Sequence, residues 1–206
     1  MYIRLAGRGD RTPDPATAGT ASTATDYYIV APAETARMFR RARESGPALL
    51  IPSAWGLVAA VHLGVVTTRP VFVMHAVMSV LLVAFAAASW REMDSGVLRA
   101  WRAVIVAGTP FAVAGLAGFV VPDPPAALFA LALFGWMLLP AAGFGYTARE
   151  LSAGAWVYAA AAAGCPVGAG LYAYGALAGS PTAQIAGLAV VGAAQTAGIV
   201  DAVVRF

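Results

Sequence analysis

Six apolar runs separated by short polar breaks set the pattern of this chain. They cover residues 48–67, 70–90, 101–121, 126–146, 154–178 and 182–203. The hydrocarbon core of a bilayer is about 30 Å thick, and a helix rising ~1.5 Å per residue crosses it in ~20 residues. Each run meets that length. The breaks are Thr67–Pro70, Arg91–Ala100, Pro122–Pro125, Thr147–Ala153 and Gly179–Pro181, so short that successive helices must be antiparallel neighbours. The pattern predicts an all-α polytopic membrane protein, a bundle of six transmembrane helices over residues 47–206.

What precedes the bundle differs in kind. Residues 1–32 are rich in Thr, Ala, Pro, Gly and Asp with few large apolar side chains, a composition that predicts a disordered cytoplasmic tail. They lack the apolar core of a signal peptide. Residues 33–46 start acidic at Glu34 and end basic, as the helix dipole favours. They predict a short interfacial helix that lays Met38 and Phe39 on lipid. Arg37, Arg40, Arg41 and Arg43 then meet anionic lipid headgroups; the same arginines also serve simply as an orienting basic flank.

Arginine fixes the expected orientation. Arg37, Arg40, Arg41, Arg43, Arg91, Arg99, Arg102, Arg149 and Arg205 fall on one side of the six runs, and Arg69 falls on the other. By the positive-inside rule both termini lie in the cytoplasm and the protein sits in the cell membrane. Trp90, Trp101, Tyr146, Trp156 and Tyr158 collect at the same inner interface, where amphipathic rings settle.

Composition sharpens this picture by exclusion. The chain is 60% hydrophobic and 11% charged, against roughly 25% charged for a soluble domain whose surface faces water. There is no lysine, which removes Schiff-base chemistry, a lysine-bound retinal and a Walker-type phosphate loop. There is no asparagine, so no N-glycosylation sequon exists. Cys165 is the single cysteine, leaving neither an intrachain disulfide nor a multi-cysteine metal site. The net charge of +3 sits at membrane edges and is not a nucleic-acid footprint.

Within the runs, small residues recur every four positions: Ala114 and Gly118 in the third, Ala160, Gly164 and Gly168 in the fifth, Ala189, Ala193 and Ala197 in the sixth. Small side chains let helix backbones approach closely in lipid, either inside the bundle or between copies in a homo-oligomer or larger membrane complex. Pro52, Pro110, Pro140 and Pro166 interrupt four runs. Pro110 and Pro166 fall near the midplane, the depth at which transporters break their helices, and are the candidate hinges. No Asp, Glu or Arg lies deep in any run, which disfavours an ion-coupled pump.

His62 and His75 are the only two histidines. Each stands about five residues from the first break, on successive runs, so both are expected at one depth in the outer leaflet. Ser79 lies one turn from His75, and Tyr172, Tyr174 and Gln184 join the same polar layer. Two imidazoles on facing helices can hold haem iron or copper. The same layer also reads as a hydrogen-bonded stabiliser of the helix ends, or as a head-group pocket. Neither a hydrolase triad nor a set of catalytic carboxylates is present, so the reading leans away from an enzyme. Three functions follow: a non-catalytic accessory or scaffold subunit, a carrier or channel for a small neutral solute or lipid with hinges at Pro110 and Pro166, and a haem- or metal-binding redox protein using His62 and His75.

Overall fold

A computed structural model of the protein describes Gly46 and residues 48–205. The tail over 1–32 and the basic helix with Arg37, Arg40, Arg41 and Arg43 lie outside the described residues. The described part is all helical: α1 Ala48–His62, α2 Arg69–Ser89, α3 Gly96–Val120, α4 Ala126–Glu150, α5 Ala155–Leu177 and α6 Pro181–Arg205. Among the described residues there is no strand. Four of these helices, α2, α3, α4 and α6, are long and apolar enough to cross a membrane.

The helix boundaries depart from the apolar runs in instructive ways. The first helix stops at His62 rather than continuing to Thr67. Gly64 adopts φ +70°, the left-handed conformation that closes helices. Val65 N–H then bonds the Ala60 carbonyl and Gly64 N–H bonds the Val61 carbonyl, each at 2.9 Å, which is the Schellman pattern. At the opposite extreme, α3 starts a turn before its apolar run and α4 runs on to Glu150. Arginine and glutamate are good helix formers, so hydropathy ends at the apolar boundary while the helix does not.

Packing follows the chain: α2 on α3, α3 on α4, α4 on α5 and α5 on α6. The first helix adds contacts beyond its sequence neighbour. Trp55 of α1 joins a core with Met137 of α4, Ala169 and Tyr172 of α5, and Leu188 and Val191 of α6. A second core, of Phe144, Tyr158, Ala161 and Cys165, lies toward the arginine-rich ends and takes Trp101 from α3. The two cores stack along α4, α5 and α6.

Glycines set the helix spacing. A side chain at Gly187 would start 2.5 Å from the Tyr172 nitrogen and 2.6 Å from the Gly168 carbonyl, and one at Gly168 would meet Gly187 in turn. The α5 and α6 backbones therefore touch. On α3, Gly108 takes the Trp136 ring and Gly115 takes the His75 ring. The α2–α3 turn is clamped by Arg102, which donates to the Trp90 carbonyl at 2.7 Å, lies 4.6 Å over the Trp90 ring and pairs with Asp94 at 3.5 Å.

Candidate functional site

A buried polar group shared by four helices is Gln195, near the middle of α6. Its origin lies partly in α4. Pro140 has no N–H, so the Trp136 carbonyl four residues earlier loses its helical donor. Gln195 Nε2–H supplies one at 2.8 Å. The Gln195 Oε1 in turn accepts Trp55 Nε1–H at 3.0 Å, and Cys165 Sγ lies 3.8 Å from Nε2. One amide thus joins α1, α4, α5 and α6 with each of its polar atoms used. No periodic pattern in the sequence singles this residue out. A polar side chain in mid-run opposite a proline-freed carbonyl is the signal that points to it.

His62 and Tyr172 form a second node, at the end of the bundle opposite the arginine-rich one. The Val58 carbonyl can only accept, so His62 Nδ1 carries the proton and donates to it at 2.9 Å. Tyr172 O–H then donates to His62 Nε2 at 2.8 Å. The rings meet edge to face at 5.5 Å, and Phe134 packs on the other side of Tyr172 at 5.7 Å. This node ties the last turn of α1 to α5.

His75 belongs to different surroundings. Its Nδ1–H donates to the Val71 carbonyl at 2.9 Å, its ring fills the space over Gly115 on α3, and Phe119 stands 6.0 Å away. Ser79 O–H donates to the His75 carbonyl at 2.8 Å, so it contacts the backbone of His75 and not its ring. Among the described residues no hydrogen bond or ring contact links His62 to His75. An axial pair on haem or copper needs a free lone pair on each imidazole. That of His62 accepts the Tyr172 phenol, and the two rings engage different helices. Among the described residues no group of three or more His, Cys, Asp or Glu is placed to hold a metal ion. Tyr174 points away from the layer and is 63% exposed.

The two hinge candidates lie inside unbroken helices: Pro110 within α3 and Pro166 within α5. Four hydroxyl groups are spent on their own helix. Ser53, Thr109 and Thr147 each donate to the carbonyl four residues back, as Ser79 does. Thr147 also accepts Trp101 Nε1–H at 3.1 Å, joining α3 to α4. Near the arginine-rich ends Arg205 Nε–H bonds Asp201 Oδ2 at 2.7 Å, and the guanidinium covers Gly154, whose φ is +76°. The buried Tyr158 hydroxyl is turned toward Asp201 without reaching hydrogen-bonding geometry.

Along one face of α4, beside Phe111 of α3, runs an open apolar groove of about 630 Å³ lined by Ala127, Ala130, Leu131, Phe134 and Leu138. With this geometry in view, comparison with known proteins adds nothing: no family model, no curated protein and no solved structure matches the chain.

Proposed function

We propose that the protein is a multi-pass integral protein of the cell membrane, with α1 to α6 all crossing the bilayer and both termini cytoplasmic, and that it serves as a non-catalytic accessory or scaffold subunit. The observation that carries the subunit role is α2. Only 6% of its most apolar stretch is buried, its buried residues being Val71, Leu82 and Ser89. Val73, Val77, Val80, Ala84 and Ala87 form an exposed stripe along the helix at alternating steps of four and three. A helix so placed adds little to its own bundle, and its free side has the form of a helix–helix contact.

Two helices outside the group of four need a separate account. The apolar surface of α1 continues past His62 through Leu63 and Val65, both exposed. In α5, Gly, Tyr and Pro dilute the hydropathy, and buried residues from Tyr158 to Gly175 run along most of its length; a helix sheltered by its neighbours needs less lipid-facing surface. Orientation is supported by Arg91, Arg99, Arg102, Arg149 and Arg205 at one end of the bundle and Arg69 at the other. The engagement of Ser53, Ser79, Thr109 and Thr147 with backbone carbonyls supports the non-catalytic reading.

A photo-activated cross-linking residue at Val77 or Val80, irradiated in native membranes, tests the role. The expected product is an adduct with a second polypeptide, either another protein or a second copy of this chain. Adducts with lipid alone from both positions contradict the proposal.

A further inference from the structure

The groove along α4 has a length, a chemistry and a charge that together select an occupant. Its lining runs from Ala127 in the first turn of α4 to Leu139, about 18 Å along the helix at ~1.5 Å per residue. Half the hydrocarbon core of a bilayer is about 15 Å, so the groove has the depth of one leaflet. It opens laterally and its lining is almost wholly apolar. At the Ala127 end the chain makes the turn Val121–Pro125, in which Asp123 adopts φ +48°. Asp123 is exposed, and among the described residues it has no ion pair or hydrogen bond. Phe111, on the neighbouring helix, closes the side of the groove against Gly135.

We propose that this groove holds one acyl chain of a phospholipid whose primary ammonium headgroup pairs with Asp123. An exposed carboxylate in the turn four residues before Ala127, where the lining begins, complements a cationic head on a hydrocarbon tail. It discriminates by hydrogen bonding as well as by charge. A primary ammonium donates to the carboxylate, a quaternary ammonium has no N–H to give, and an anionic glycerol headgroup is repelled. This inference rests on the membrane reading above.

The test is a lipid titration of delipidated full-length protein in detergent, read as the melting temperature. Dioleoyl phosphatidylethanolamine, phosphatidylcholine and phosphatidylglycerol are added separately. Phosphatidylethanolamine is expected to raise the melting temperature by about 4 °C or more, as saturating binding to the native state alone does for a chain of this size, and the other two by clearly less. Asp123→Asn, which tolerates the left-handed backbone, is expected to level the three lipids. Ala130→Phe or Ala127→Leu, which fill the groove, are expected to abolish the shift for all of them. Equal shifts for the three lipids in the unaltered protein overturn the proposal. So does a preference that survives Asp123→Asn, or a shift untouched by both groove-filling variants. A chain that stays monodisperse without detergent overturns the membrane reading as well, whereas a detergent-dependent chain with no headgroup preference overturns this inference alone.

Discussion

Pro140 and Gln195 show how a single missing hydrogen can organise a bundle. The proline leaves a carbonyl on α4 without its helical donor, and a side chain from α6 answers it at 2.8 Å. Because the same amide receives Trp55 from α1, its loss strands a buried indole N–H and a buried carbonyl together. Each unsatisfied group costs about 1–3 kcal/mol in water-soluble cores, and less where the unfolded chain finds partners in the membrane. Gln195→Leu should therefore destabilise by about 1–3 kcal/mol in a steric-trap or detergent-unfolding measurement. Trp55→Phe in the Gln195→Leu background should then cost less than Trp55→Phe alone. Strictly additive effects would mean that the indole and the amide are not coupled. Little of this was visible in the chain beforehand. Pro140 is one of four prolines in the apolar runs, whereas Gln195, 59 residues downstream of the carbonyl it serves, offers no local pattern. His62 and His75 were legible as unusual residues. Their partners were not, because sequence spacing puts them on one hairpin while the His62 ring engages Tyr172 of α5 and the His75 ring lies over Gly115 of α3.

The same limit recurs at the scale of the element. The four-residue spacing of small side chains falls on the α5–α6 contact at Gly164 and Gly168, whereas in α6 it falls on the outer face of the bundle. Ala189, Ala193 and Ala197 are exposed, and the buried face carries Gly187, Val191, Gln195 and Gly198. Both stripes have the same period, and in a helix apolar nearly all round the period cannot say which one faces inward. What decides is the close approach of Gly187 to the α5 backbone. Gly187→Ala should destabilise by about 1–3 kcal/mol, since its Cβ meets backbone that cannot rotate away. Gly170→Ala, on the partner helix with nothing within 4 Å, should instead stabilise by about 0.5–1 kcal/mol through helix propensity. Two effects of the same sign would refute the packing. Helix ends were read less well than helix existence. Gly64 was available as a stop signal, but the apolar run through Val65 and Val66 masked it, since hydropathy measures what surrounds a segment and not whether it is helical.

For the whole molecule, helices at all six positions were legible because a long apolar run has few alternatives. Which helices neighbour each other was only partly so. Short connections correctly implied α2 beside α3, α3 beside α4, α4 beside α5 and α5 beside α6. They could not show that α1 packs against α4, α5 and α6, leaving α2 at the margin with most of its surface free. That arrangement underlies the proposed subunit role, and the role has meaning only if the six helices cross a bilayer in alternation. The decisive measurement is labelling of single cysteines in intact cells by a membrane-impermeant maleimide, in a Cys165→Ala background. Thr67→Cys and Ala178→Cys should label from outside, while Ser95→Cys and Ser152→Cys should label only after the membrane is opened. Labelling of all four positions in intact cells, of none after opening, or of the two pairs in the reverse order would contradict the account.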